Sequence, residues 1–385
     1  MDKNLNTLRW DPYVFANDQK VLELWTNHFS ESNRKVLFIL GRGFDVRMNI
    51  GIEGLMENCP EIDLDCWLIQ FDEGSSSSSH KYEKYAEENF KQLESILEGH
   101  TMEIKTISLW SAKGKGKRSR IGDRQAAAIL EKFEQIENYT DIIIDISALP
   151  RGVYFSLIGK FLKTIDFYCT DRSINLMISV AENAAIDSKI LEKEVDDDIG
   201  YLQGFGGNLE LTSEMDEPTI WFPILGEDKI KHLGKAFSHI MPDEICPILP
   251  FPSKDPRRSD SLIIDYHKWL FDELNIQPQN LMYVPEQNPF DAYVRMTKAI
   301  RNFYNSLSSL NGCKVVISTF SSKVLSIATL LTAYELMEDI GVGVLNVDSQ
   351  GYEIDDFEEL KNLRENSELF VIWLTGEPYD ENTKL

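Results

Sequence analysis

Cysteine is scarce in this chain of 385 residues. Cys59, Cys66, Cys169, Cys246 and Cys313 are scattered, odd in number and never in CxxC spacing. That argues against a disulfide framework or a thiolate zinc site and fits free thiols in a reducing compartment. Long hydrophobic runs are missing too, since no stretch approaches the ~18–20 apolar residues that span a bilayer. The opening MDKNLNTLRWDPYVF lacks the uninterrupted apolar core of a secretory leader. The expectation is a soluble, cytoplasmic protein with no membrane partner. Positive charge is in deficit, with 39 Lys and Arg against 63 Asp and Glu and a net charge of -24. A surface so acidic repels a phosphate backbone, so duplex nucleic acid is not an expected partner. A small anionic ligand is still compatible, because the field inside a pocket is set within a Debye length of ~8–10 Å.

Several signatures are also absent. There is no GxxxxGK[ST] loop, no completed GxGxxG and no GxSxG at a strand end. His80, His100, His232, His239 and His267 show no HxH or HExxH spacing, so no metal is expected. No carboxylate pair stands out among the 63 acids, and no catalytic residue is assigned.

What is present is alternation. VLFIL (36–40), CWLIQF (66–71), IKTISLW (104–110), DIIIDIS (141–147) and INLMISV (174–180) are short apolar runs with helical segments between them. A similar series follows: EICPIL (244–249), NLMYV (280–284), KVVIST (314–319), VGVLNV (342–347) and LFVIWL (369–374). Continuous apolar strands belong to sheets covered on both faces, and strand–helix alternation makes those sheets parallel. The fold class is therefore α/β, with two Rossmann-like, doubly wound halves and an internal duplication. The boundaries expected are an N-terminal helical segment over 1–34, a first domain over 35–184, a linker or flap over 185–240 and a second domain over 241–385.

In such sheets a ligand sits outside the carboxyl ends of the strands, where helix N-termini favour anions. GRGFDVR follows the first strand with Gly41, Gly43, Asp45 and Arg47, and PFPSKDPRR follows EICPIL with Asp255, Arg257 and Arg258. Acids close the next strands, Asp72 and Glu73 in one half, Glu286 in the other. Ser147 and Arg151 open one later helix, and Ser318, Ser322 and Lys323 open another. Arginine, lysine and hydroxyl donors suit phosphate, and a carboxylate after a second strand suits a ribose. Each has a plainer reading: the two glycines as a tight turn, Asp45 with Arg47 as an internal salt bridge, the loop SAKGKGKRSR (111–120) as a solvated turn.

VVISTFSSKVLSIATL, and more loosely IIIDISALPRGVYFSL, resembles the strand, Ser/Thr-rich turn, basic residue and helix of the CRISPR-associated Rossmann fold sensor domains. Ala148, Leu149 and Pro150, and Phe320, Ser321 and Ser322, stand where that family has a Gly-Thr pair. The resemblance implies a sensor of a nucleotide second messenger in prokaryotic antiviral defence, acting with an effector protein. The two halves would form a pseudo-dimer with Ser147, Arg151, Ser318, Ser322 and Lys323 around one ligand. LGRGFDVRM also resembles the Gly-x-Gly-x-Asp-x-Arg motif of leucine carboxyl methyltransferases, which implies S-adenosylmethionine in the first half with its ribose on Asp72 or Glu73. A scaffold that binds neither ligand is the third reading.

Overall fold

A computed structural model describes residues 8–30, 33–72, 78–113, 117–169, 173–206, 209, 217–310 and 312–379. The chain divides into two compact units, the larger comprising Pro12–Glu194 and Ser349–Leu385, the smaller Met1–Asp11 and Val195–Asp348. Almost all of the smaller unit is thus inserted, in sequence, into the larger.

The larger unit is built on a seven-stranded sheet. In spatial order its strands are Val14–Asn17, Glu368–Thr375, Asn175–Glu182, Asp141–Asp145, Lys35–Gly41, Asp63–Asp72 and Thr101–Ser108. The last five of these are mutually parallel. Glu368–Thr375 runs antiparallel to Asn175–Glu182, and Val14–Asn17 runs antiparallel to Glu368–Thr375. Alternate residues of the central strand serve the two faces. Val36, Phe38 and Leu40 join Trp25, Ile52, Leu55 and Leu93 on one side. On the other, Trp67 meets Phe161 of the helix Arg151–Tyr168 edge to face, with ring centroids 6.4 Å apart. Covering both faces requires apolar side chains at successive positions, which is why VLFIL and DIIID read as unbroken runs.

The smaller unit repeats the plan. Its sheet order is Gly200–Tyr201, Val342–Asn346, Lys314–Thr319, Thr219–Ile224, Ile248–Pro250 and Met282–Val284, with Glu244–Ile245 also paired to Thr219–Ile224. All of these strands except the first run parallel. Counted along the chain, the parallel strands of each unit lie in the order third, second, first, fourth, fifth. Both units are doubly wound α/β folds with the switch point between the first strand and the fourth.

The division of the chain differs from the 1–34, 35–184, 185–240 and 241–385 scheme in three places. The segment 1–34, expected to be helical, contributes the helix Gln19–Phe29 but also the strand Val14–Asn17 of the larger sheet, and it is shared between the two units. Thr219–Ile224, inside the expected linker, is the first and central strand of the smaller sheet. Leu369–Leu374, expected in the second half, pairs with the larger sheet. The physical reason is register: Phe370, Val371 and Ile372 lie against Val180, Ser179 and Ile178, completing a core that the first half leaves open on that side. Among the described residues, no helix is long and apolar enough to cross a membrane.

Candidate functional site

In the larger unit the switch point lies between the ends of Lys35–Gly41 and Asp141–Asp145. A Cβ on Gly41 would fall 2.6 Å from Leu149 Cδ2 and 3.3 Å from the Ala148 carbonyl oxygen, and one on Gly43 would fall 3.4 Å from Ala148 Cβ. The two loops therefore rest on each other, and the glycines are there for close approach. Beyond them the charges turn inward. Arg47, only 4% exposed, gives Nε and Nη2 to the two oxygens of Asp45 at 2.9 and 2.7 Å and lies 2.8 Å from Asp187. Burial opposes its charge, but Asp45 and Asp187 together hold the guanidinium above its ordinary pKa. The Arg47 N–H also donates to Asp45. Asn89 donates to the carbonyls of Gly43 and Asp45, and Arg364 donates to that of Val46. Arg42 is taken by Gln70 and Glu87 over the ring of Phe90.

Ser147 is wholly buried, and its hydroxyl accepts from the Ala181 N–H at 2.8 Å. It ties neighbouring strands instead of facing a ligand, a correction to its place in the expected site. Arg151 opens an 18-residue helix at this edge behind Pro150. Asp72 is exposed at the end of its strand, and Glu73 lies outside the described residues, as does part of the 111–120 loop. A residue not singled out from sequence is Asp145, 1% exposed, whose oxygens accept from the Ser147 N–H and the Ser179 hydroxyl. Its signal is an acid closing the apolar run DIIID.

The smaller unit matches this arrangement from a different starting point. Its first strand ends at Ile224 and leads into Leu225 and Gly226, the same ILG that ends the larger unit's first strand at Ile39, Leu40 and Gly41. Gly226 presses on the loop after the fourth strand, where a Cβ would fall 2.0 Å from the Phe320 carbonyl oxygen. Asp255 and Arg257 therefore follow a second strand and are not the counterparts of Asp45 and Arg47, which follow a first; Glu286 follows a third. Asp255 uses its carboxylate to accept from the Arg257 N–H, a turn-forming bond, and both residues are exposed. Ser318 is buried and accepts from Trp221 Nε1 at 3.1 Å, so it too is a structural contact. Ser322 caps the helix Lys323–Leu336 by accepting from the Leu325 N–H.

Arg258 gathers this rim. Its Nε and Nη2 reach Glu227, after the first strand, at 2.6 and 2.7 Å. Its Nη1 pairs with Glu286, after the third, and its Nη2 lies 3.5 Å from the Ser321 hydroxyl, after the fourth. Arg258 itself opens the helix after the second strand. One guanidinium thus faces two carboxylates. Burial pushes the Glu286 carboxyl up, Arg258 pulls it down, Glu227 pushes it up again, and the net is above the ordinary value. Glu227 also feels burial, but its two bonds to Arg258 hold it below. Beneath the rim, Tyr266 accepts from the Lys229 N–H and donates to the Gly226 carbonyl, fixing the first loop. Phe251, just after the second strand, and Tyr283, on the third, meet edge to face at 6.2 Å, and each residue is less than two-thirds buried.

Chemically the smaller rim offers hydrogen-bond acceptors on Glu227 and Glu286, a cation on Arg258, hydroxyls at Ser321 and Ser322, the N-terminus of a 14-residue helix and an accessible aromatic pair. In the larger rim Arg42 and Arg47 are held by carboxylates of the same unit, Glu87 for one and Asp45 and Asp187 for the other. No group of three or more His, Cys, Asp or Glu side chains fit to hold a metal occurs among the described residues.

No family model matches the chain, and no curated protein matches it. Among solved structures, a putative universal stress protein from Pseudomonas aeruginosa UCBPP-PA14 is 11% identical, with 87% of this chain and 98% of that one covered at a TM-score of 0.24. A universal stress protein from Archaeoglobus fulgidus DSM 4304 is 10% identical, with 81% and 96% covered at 0.23. A UDP-GlcNAc 2-epimerase from Methanocaldococcus jannaschii is 11% identical, with 86% and 92% covered at 0.20. Overlays at these scores carry no weight for fold or function, and the fold assignment rests on strand order and direction.

Proposed function

We propose that the protein binds a nucleotide-type ligand at the carboxyl edge of the smaller unit. The observation that carries this reading is Arg258, a single cation held by Glu227 and Glu286 with Ser321 in reach, at the ends of four consecutive strands. A nucleotide brings what this rim lacks and takes what it offers. Its ribose hydroxyls are donors for Glu227 or Glu286, its phosphate is an anion for Arg258 and the helix that begins at Lys323, and its base is a flat partner for Phe251 and Tyr283. The larger unit supports the reading less. Asp45 and Arg47 of its Gly-x-Gly-x-Asp-x-Arg stretch hold each other and Asp187, which disfavours S-adenosylmethionine there.

We further read the ligand as a signal and the protein as its sensor, in line with the resemblance of the Ser/Thr-rich turn to second-messenger domains. An anion that draws Arg258 away from Glu227 releases the loops that Arg258 joins, which is how occupancy becomes a change of shape. An effector protein would then read that change.

The test is thermal unfolding with mononucleotides, cyclic oligonucleotides and S-adenosylmethionine, because a ligand at 100 times its dissociation constant adds about 2.7 kcal/mol to the native state. A nucleotide-induced shift that persists in Arg47→Ala and disappears in Arg258→Ala is the expected result. A shift given by S-adenosylmethionine and lost in Asp45→Ala moves the site to the larger unit. No shift with any of the three leaves a scaffold as the better reading.

A further inference from the structure

The strand Thr101–Ser108 closes one side of the larger unit's sheet, and among the described residues no strand pairs with its outer edge. It is eight residues long. Bare edges of that length are unusual, because each presents a row of N–H and C=O groups to any other chain, and natural sheets shorten, bend or cover them. Ile104, midway along it, is 46% exposed. Its neighbours Glu103 and Lys105 point to the opposite face, where Lys105 Nζ lies 2.5 Å from Glu103 Oε1 and 4.6 Å from the centre of the Trp67 ring.

We propose that this edge pairs with the same edge of a second copy of the chain, antiparallel and centred on Ile104. A two-fold axis through Ile104 sets Glu103 of each copy opposite Lys105 of the other, so that the ion pair forms twice. Directly opposed residues of an antiparallel pair have Cβ atoms ~4.5–5.5 Å apart, close enough for Glu and Lys to meet. The two Ile104 side chains face each other across the axis, and Met102 faces Thr106. The adjacent registers that keep each face on its own side fail electrostatically. An axis through residue 103 opposes two glutamates, and an axis through residue 105 opposes two lysines. The order Glu–Ile–Lys is therefore self-complementary in one register, which is what a two-fold interface demands of a single surface. Pairing also removes the bare edge from both copies and joins the two sheets into one.

This inference stands apart from the nucleotide reading and uses none of its residues. Sedimentation velocity of the full chain over a dilution series tests it. The expected species at the upper concentrations has twice the chain mass of 44.2 kDa. Glu103→Lys and Lys105→Glu, each opposing like charges twice, should weaken the dimer about tenfold. The double variant Glu103→Lys/Lys105→Glu should restore it, because the pairs re-form with exchanged signs. Ile104→Lys should give monomer. Unchanged thermal unfolding of the variants at low concentration shows that the monomer fold is intact. A wild-type chain that is monomeric throughout overturns the proposal, as does a dimer indifferent to the single changes or one that the double variant fails to rescue.

Discussion

Gly226 stands so close to Phe320 that a Cβ built on it falls 2.0 Å from the Phe320 carbonyl oxygen and 2.8 Å from its carbonyl carbon. Backbone cannot swing aside as a side chain can. Gly226→Ala is expected to cost about 3 kcal/mol, the upper part of the range for overpacking. Gly41→Ala meets mainly a Leu149 methyl at 2.6 Å, which can rotate away, so about 1 kcal/mol is expected there. Urea titrations of both variants measure the difference, and equal losses would show that the two close approaches are not of different kinds.

Arg258 is the cation that pairs with both Glu227 and Glu286 and offsets their mutual repulsion, with lesser help from Lys229 on the first and Lys254 on the second. Arg258→Met should destabilise the fold by roughly 2 kcal/mol at pH 8 and by less at pH 5. The sign follows from Glu286. A carboxyl whose folded pKa lies above its unfolded value penalises the fold once ionised, and the penalty fades as pH falls through the folded value. In the variant that value rises further. Chemical denaturation at the two pH values checks it, and a loss independent of pH would mean that Arg258 acts through packing alone.

At the opposite end of the larger sheet Asp141 is fully buried and holds His28 at 2.6 Å, with Thr140, Asn175 and Arg34 around it. Burial pushes its carboxyl up, and the bonds from His28 and Thr140 with the charge of Arg34 bring it below the ordinary value. A depressed carboxylate contributes stability above its unfolded pKa of ~3.9 and loses it as pH falls through the folded value. Asp141→Asn should therefore cost about 3 kcal/mol near pH 7. Its stability curve should converge on that of the wild type below about pH 4. Parallel curves down to pH 2 would contradict the assignment.

Arg47 and Arg257, the two arginines placed two residues after an aspartate, should behave differently. Arg47→Ala removes a buried guanidinium together with its bonds to Asp45 and to the half-exposed Asp187 and should cost about 3 kcal/mol, whereas exposed Arg257→Ala should stay within about 0.5 kcal/mol. Differential scanning calorimetry reads both, and similar values would undo the distinction between an internal clamp and a surface turn.

Much of the architecture was legible because parallel strands buried on both faces are apolar at every position. VLFIL, DIIID, INLMISV and KVVIST are all strands. Thr219–Ile224 is harder to read, since Pro218 precedes it, Pro223 falls within it and an acidic stretch leads up to it, and prolines in a run argue against a central strand. Missing it displaced the match between the halves by one strand, which made Asp255 and Arg257 look like Asp45 and Arg47. The shared ILG at Gly41 and Gly226 was the better landmark. Ser147 and Ser318 look like ligand hydroxyls in sequence, and only the strand beside each reveals the Ala181 N–H and the Trp221 indole that occupy them. The charge of Arg258 is visible in the sequence, but its pairing with Glu227 is not, because their contact spans 31 positions. His28 carries no local pattern at all; its role depends on Asp141, 113 positions later.

The insertion of one unit within the other also orders events on the ribosome. Trp10, fully buried, packs edge to face on Tyr293 with ring centroids 5.4 Å apart. Trp10 therefore waits for nearly three hundred further residues before its partner exists. The larger sheet waits longer still, since Val14–Asn17 has no neighbour until Glu368–Thr375 has been made. During vectorial synthesis the inserted unit closes first, while its host stays open at one side, with Val180 and Ile178 lacking their cover. Chaperone demand should therefore fall on the host and last until Glu368–Thr375 has left the exit tunnel.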